Sequence, residues 1–255
     1  MVKEIVDNTK KVDLFLYDDF RHAPDEVQEK CHILYNNGAS LKDALSFCRK
    51  EVLRLSADRL KKEANLSKRF KERTFETFKP YTDILKTAFN KAKKYAELLN
   101  DCLQDGTNII FEGHGCVGTG KTHLAYAIAN YALDNGVPTR IINTTQLVTA
   151  LSYKTVDENF KKSLYSVPLL VIDDLGKECG YDWLLFEIYG ILNARYESCK
   201  PTVITTEDTI ADLSKYYQVS TASGIKNRGK SIFSRICENV VFVSVTGDDY
   251  RLKRG

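Results

Sequence analysis

Three observations predict an α/β protein built on a three-layer, parallel, five-stranded sheet, preceded by a small helical N-terminal domain. The apolar run Asn108-Ile109-Ile110-Phe111 leads into Gly115-Cys116-Val117-Gly118-Thr119-Gly120-Lys121-Thr122, and His123 to Ala129 continues at helical spacing. Strand, glycine loop, Lys-Thr and helix together are the context of a phosphate-binding P-loop. Pro168-Leu169-Leu170-Val171-Ile172 is a continuous apolar run that ends in Asp173-Asp174. Such a run reads as a strand covered on both faces, as in a parallel sheet. Around these two stretches, apolar runs alternate with helical patterns, which is the signature of βα units.

The bulk numbers set outer bounds. A chain of 255 residues allows one or two domains with a substantial core. A net charge of +3 is too small to indicate a nucleic-acid partner, so only local charge can carry that reading. The seven cysteines form no Cys-x-x-Cys pair, which argues for reduced thiols and against a zinc ribbon. Residues 1–7 show no signal-peptide character, and no apolar run approaches the roughly 18 residues of a membrane span. The expectation is a cytoplasmic protein with no membrane partner.

Taken in order, residues 26–35 repeat apolar positions at helical spacing and are stopped by Asn36-Asn37-Gly38. Ser40 is placed to cap a second helix over 41–48. This pair fits either a plain helical hairpin or a helix-turn-helix DNA reader. Between Arg49 and Arg73 ten basic residues face four acidic ones, a surplus of six. That run reads either as a solvated helix or linker, or as a contact for nucleic acid or an acidic surface. The domain division is expected there, near Lys68, giving residues 1–68 and 69–255. Thr74 to Pro80 reads as a docked linker, and a basic helix is expected from Asp83 to Cys102. Strands then fall at 108–112, 139–142, 168–173, 201–206 and 239–245. Helices fall at 121–135, 145–153, 158–165, 182–197 and 231–237, with a polar loop over 215–231.

The chemistry follows from the residue types. Glycines let successive N–H groups turn toward phosphate oxygens, and the following helix adds its positive end. Gly115, Val117, Gly118, Thr119, Gly120, Lys121, Thr122 and His123 form the candidate cradle for ATP. Lys121 is placed to reach the β- and γ-phosphates, and the Thr122 hydroxyl to complete a Mg²⁺ shell. Asp173 fits the Walker-B role of holding Mg²⁺ through water, and Asp174 the position that orients or deprotonates an attacking water. Thr205-Thr206 ends the next buried strand, at an edge that lies beside the γ-phosphate in many P-loop ATPases or else caps the following helix.

These residues resemble the replicative helicase-loader group of AAA+ ATPases, including DnaC-like and DnaI-like loaders and the IstB transposition helpers. The likeness runs from about Arg69 to Arg251. It rests on Arg73-Thr74-Phe75-Glu76-Thr77-Phe78, the P-loop, Ile172-Asp173-Asp174-Leu175-Gly176, Pro201 to Thr206, Ser234-Arg235-Ile236 and Asp249-Tyr250-Arg251. It implies an AAA+ domain of the catalytic-acid (ASCE) branch without a C-terminal lid. It further implies that Arg235 is an arginine finger acting on a neighbour's γ-phosphate, that Arg251 is a sensor-II-like residue, and that subunits assemble into a ring or spiral. The segment 144–166 corresponds to the family's element that contacts single-stranded DNA, with Tyr153, Lys154 and Trp183 as candidate contacts. Core packing is the competing account of Trp183. Glu207 stands where the family has an Asn, so the sensing role shifts to Thr206 or weakens.

The favoured function is an ATP-dependent loader that grips a hexameric replicative helicase through its N-terminal domain and delivers it to single-stranded DNA. The alternatives are an IstB-like transposition helper, a nucleotide-gated adaptor with little turnover, and a small-molecule kinase. The last is disfavoured by the paired aspartates and by the lack of an arginine-rich lid.

Overall fold

The computed structural model describes residues 14, 17–63, 68–151, 158–177, 182–216, 218–221 and 224–250. The chain packs as two units that divide between Arg59 and Leu60.

In the first unit, α1 (Asp18–Arg21), α2 (Asp25–Asn36) and most of α3 (Leu41–Glu63) enclose a small core of Leu14, Phe20, Ala23, Val27, Cys31, Ala44 and Cys48. Ser40 Oγ accepts from Asp43 N–H at 3.2 Å, capping α3 as its sequence position suggests. The Cys31 thiol donates to Ala44 O at 3.1 Å, and burial with Cys48 alongside pushes its pKa up to about 11. Such a thiol behaves as an inert core group. Part of the basic run from Arg49 is helical, because α3 continues to Glu63 with Arg54 paired to both Glu51 and Asp58 along one face.

The second unit begins earlier than the charge pattern suggests, because Leu60 is buried with Tyr126 and Leu133. Then come α4 (Lys68–Lys71), α5 (Asp83–Glu97), α6 (Leu99–Asp105), β1 (Asn108–Glu112), α7 (Lys121–Asp134), β2 (Thr139–Asn143), α8 (Thr144–Leu151), α9 (Glu158–Ser166), β3 (Leu169–Asp173), α10 (Asp182–Glu197) and β4 (Thr202–Thr206). The chain continues through α11 (Ile210–Tyr216), β5 (Gln218–Thr221), β6 (Gly224–Asn227), α12 (Arg228–Ile236) and β7 (Val240–Ser244). The basic helix expected over 83–102 is two helices broken at Leu98, and α6 ends at Gly106 in the left-handed conformation. The polar stretch 215–231 is also more ordered than its composition implies. It holds the end of α11, the β5–β6 antiparallel hairpin and the start of α12.

The five main strands run parallel in the order β2-β3-β4-β1-β7. Alternation along each strand builds the two outer layers. Ile109, Phe111, Leu169, Val171, Val203 and Val243 pack with α5, α6 and α7 on one face, and Ile110, Leu170, Ile172 and Ile204 pack with α8, α10, α11 and α12 on the other. The fold is therefore the predicted three-layer parallel α/β sheet. Because the strands are parallel, their C-terminal ends share one edge, and β1 opens its loop there between β4 and β7. That edge is where ligands bind in such sheets.

Arg195, on α10, is completely buried and holds the opposite edge together. Its guanidinium donates to Thr202 Oγ1 (3.0 Å) and to the carbonyls of Leu164 (3.2 Å), Val167 (2.8 Å), Pro168 (3.2 Å) and Pro201 (2.7 Å). Burial draws its pKa down to about 9. Its planar fork satisfies acceptors at the start of β3 and β4 that a lysine could not reach together. Arg195→Met should lower the unfolding free energy by about 3 kcal/mol or more, since buried carbonyls lose their donors. Urea denaturation reads this directly, and an unchanged midpoint contradicts the clamp.

Candidate nucleotide-binding site

The loop after β1 is shaped by its backbone. Gly115, Gly118 and Gly120 all take positive φ, and two of them are also closely approached. A Cβ on Gly118 would lie 1.8 Å from Asp249 Oδ1, and one on Gly120 would lie 2.8 Å from the Phe78 ring. Only glycine fits either place without rearrangement. The loop is also strapped to its neighbours. Gly113 N–H donates to Thr206 O (3.0 Å) and Gly115 N–H to Glu207 O (2.6 Å), both just beyond β4 or at its end. Thr119 Oγ1 donates to Val245 O (2.8 Å), and Tyr250 N–H to Gly118 O (3.1 Å).

Lys121 opens α7 and is 5% exposed, with Nζ donating to Cys116 O at 2.5 Å. Burial pulls its pKa below the ordinary lysine value, and Glu207 and Asp174 act against that pull. An ammonium held in this way gains most from an anionic ligand that replaces its lost hydration.

The two carboxylates of the β3 end are held differently. Asp173 is buried, and burial raises its pKa against the hydrogen bonds from Thr205 and Thr122. Thr205 Oγ1 donates to Asp173 Oδ1 at 2.6 Å and accepts from Asp174 N–H at 2.9 Å. Asp174 has φ 61°, a left-handed turn stabilised because Thr144 Oγ1 donates to its carbonyl (3.2 Å) and Leu175 N–H donates to Thr205 O (2.8 Å). Its side chain is partly exposed and pairs with Lys177 Nζ at 3.3 Å, while Lys177 also pairs with Glu207 at 2.7 Å. Burial works against the Lys177 charge, but Glu207 and Asp174 outweigh it and raise its pKa.

Lys121, Asp174, Lys177 and Glu207 line a cavity of about 710 Å³, together with Thr77, Phe78, Lys79 and Tyr81 of the Thr74–Tyr81 segment. That segment docks through its aromatic rings, as a linker rich in Phe requires. Phe75 and Phe78 pack on Phe89 of α5, and Phe78 meets the His123 ring edge-on at 5.1 Å. His123 Nε2 lies 2.9 Å from Thr74 O, and burial lowers its pKa. Tyr81 stacks on Tyr250 at 5.5 Å, closing the aromatic side of the cavity.

Val117, Gly118, Thr119, Gly120, Lys121, Thr122, His123 and Asp174 therefore meet at one cavity. Gly115 shapes the loop beside it, and Asp173 does not line it, being buried next to Asp174 and bonded to Thr205. Thr206 is fully buried, does not line the cavity, and accepts from Asp208 N–H at 3.1 Å. The strand pleat explains this, since adjacent residues face opposite ways and Thr205 takes the face toward Asp173. Arg235 lies on α12, outside the cavity, with Nη1 donating to Ser231 Oγ at 2.5 Å. Trp183 packs, partly buried, on the cluster around Leu147 and Leu184. Tyr153, Lys154 and Arg251 lie outside the described residues. Sequence reasoning does not single out Lys177 or Tyr81, and it names Tyr250 only within the Asp249-Tyr250-Arg251 motif. Lys177 follows Asp174 closely enough to have been a signal, whereas the Tyr81–Tyr250 contact joins distant segments.

Sheet order and loop placement together define the class, a P-loop domain of the AAA+ type. The chain belongs to the family of IstB-like ATP binding proteins, whose family model matches residues 23–255. It is 30% identical over 147 residues to the replicative helicase loader DnaC of Escherichia coli strain K12, across 56% of this chain and 58% of that protein. It is 33% identical over 150 residues to the chromosomal replication initiator protein DnaA of Anaplasma marginale, across 56% of this chain and 29% of that protein. The chain thus spans less than two thirds of the length of these relatives. A crystal structure of the DnaC helicase loader superposes with a TM-score of 0.59 at 26% identity, covering 70% of this chain and 99% of that one. AMPPCP-bound DnaA from Aquifex aeolicus gives 0.52 at 25% identity, covering 68% and 50%.

Lys121→Ala should weaken ATP binding by on the order of a hundredfold, the loss of a charge-assisted contact to phosphate. It should leave the melting temperature of the nucleotide-free protein unchanged or raised, because burial penalises that charge. Calorimetric titration paired with a thermal melt checks both, and unchanged affinity contradicts the assignment.

Proposed function

We propose that this chain is an ATP-hydrolysing helicase loader, with its N-terminal helical unit gripping a hexameric replicative helicase and its α/β unit acting as the ATPase that delivers it to single-stranded DNA. The observation that supports the ATPase reading most is the meeting of Lys121, Thr122 and Asp174 at one cavity, with the adjacent Asp173 buried and held by Thr205 Oγ1. The likeness to DnaC supports the loader assignment. The residues fit the nucleotide and metal, since the positive-φ glycines turn the loop along the cavity and Lys121 is a buried cation lining it. Thr122 and Asp173 are the residues to hold Mg²⁺, which supplies positive charge to the β- and γ-phosphate oxygens. Asp174 then orients the attacking water and accepts its proton.

Arg235 lies away from its own chain's cavity on a partly exposed helix, which suits a finger supplied to a neighbouring subunit. Hydrolysis in this reading needs a ring or spiral of subunits. Tyr153, Lys154 and Trp183 are the proposed single-strand contacts. Trp183 is the weakest of the three, because its ring already packs on the core.

A second reading, an IstB-like transposition helper, is favoured by the family model, which reaches back to residue 23 and so includes α2 and α3 of the first unit. ATP turnover of the full chain with single-stranded or duplex DNA separates the two, together with capture of partners from lysate. Stimulation by single strands with a replicative helicase recovered supports the loader. Stimulation by duplex with a transposase recovered supports the helper, and no turnover under either condition contradicts both. Arg235→Ala should keep ATP affinity while turnover falls on the order of a thousandfold. An equal loss of binding would make Arg235 a residue of its own chain's site.

A further inference from the structure

We propose that Lys177 is a second phosphate-binding cation, exchanging Asp174 and Glu207 for the γ-phosphate when a triphosphate enters the cavity. The inference rests on the P-loop reading and names how that site tells ATP from ADP.

Glu207 poses a physical problem where it stands. It lines the same cavity as Lys121 and Thr122, and an ionised carboxylate only accepts hydrogen bonds. Facing a phosphate it repels. The structure pairs that carboxylate with Lys177 Nζ at 2.7 Å, and the same ammonium holds Asp174 Oδ2 at 3.3 Å. Lys177 therefore supplies the donor that the Glu207 position lacks. Glu207 and Asp174 are also the leading charges opposing the burial of Lys121, the residue that reaches the β- and γ-phosphates. Asp174 is the proposed water-orienting acid, so the Asp174–Lys177–Glu207 cluster belongs at the terminal-phosphate end, where ADP presents nothing.

The exchange is energetically accessible. The Lys177 side chain is 46% exposed, so its ion pairs are weak and readily traded for a phosphate of higher charge. The Asp174 backbone does not depend on it, being held by Thr205 and Thr144. Departure of Lys177 frees the Asp174 carboxylate in place, so triphosphate binding and release of the water-orienting acid become one event.

Titration of the full chain with AMPPNP and with ADP, each with Mg²⁺, tests this. Lys177→Met should weaken AMPPNP about tenfold and ADP by no more than about twofold. Lys177→Arg should restore part of the difference, and Glu207→Gln, which removes the competing carboxylate, should tighten AMPPNP. Equal losses for both nucleotides, no loss for either, or weaker AMPPNP binding by Glu207→Gln overturns the proposal. Lys121→Ala in the same titration separates the two levels. If it binds ADP as tightly as the unmodified chain, the P-loop reading itself fails. If it binds ADP far more weakly while Lys177→Met does not discriminate, only the Lys177 inference fails.

Discussion

The Thr205 hydroxyl donates to the Asp173 carboxylate and accepts the Asp174 N–H, so one oxygen on β4 fixes both acids at the end of β3. The rest of the site is arranged around that junction. β4 lies between β3 and β1, so the same strand end also strands the loop after β1 through Gly113 and Gly115. At the far end of these strands, Arg195 ties the segments that enter β3 and β4. Strand positions are thus held at both ends, by a neutral hydroxyl where chemistry is needed and by a buried cation where it is not. A sheet with one end loose would let the acids and the glycine loop drift apart. Catalytic groups tolerate such drift poorly.

The electrostatics in and beside the cavity fit the proposed ligand site better than a contribution to stability. Lys121 is buried beyond what its protein partners repay, and Asp173 is buried with a raised pKa. Both costs fall on groups that a metal-bound triphosphate would satisfy. Lys177 is the counterexample, half-exposed and held by two carboxylates, and therefore able to change partners. Residues with a strained environment and one with a labile environment lie side by side, which is the usual pattern at functional sites.

Most of the fold was legible because its signals are local. A glycine loop must be contiguous to cradle phosphate, and a strand buried on two faces must be continuously apolar, so 108–122 and 168–174 could be read directly. What escaped depends on juxtaposition. Arg195 sits in the ordinary-looking Ala194-Arg195-Tyr196, and only the tertiary structure shows that five acceptors surround it. Thr205 and Thr206 are chemically identical neighbours, and the pleat alone decides which one faces Asp173. Glu207 was recognised as a departure, yet its pairing with Lys177 brings together the exits of two different strands. The β5–β6 hairpin carries no alternating apolar pattern, so composition marked it as loop.

The central claim is that the glycine loop and the β3 end form one triphosphate site. Amide hydrogen exchange of the full chain, with and without AMPPNP and Mg²⁺, tests it most directly. The account predicts that protection on binding concentrates at Gly113–Thr122 and at Asp173–Lys177. Binding with protection elsewhere and none in these two segments would contradict it.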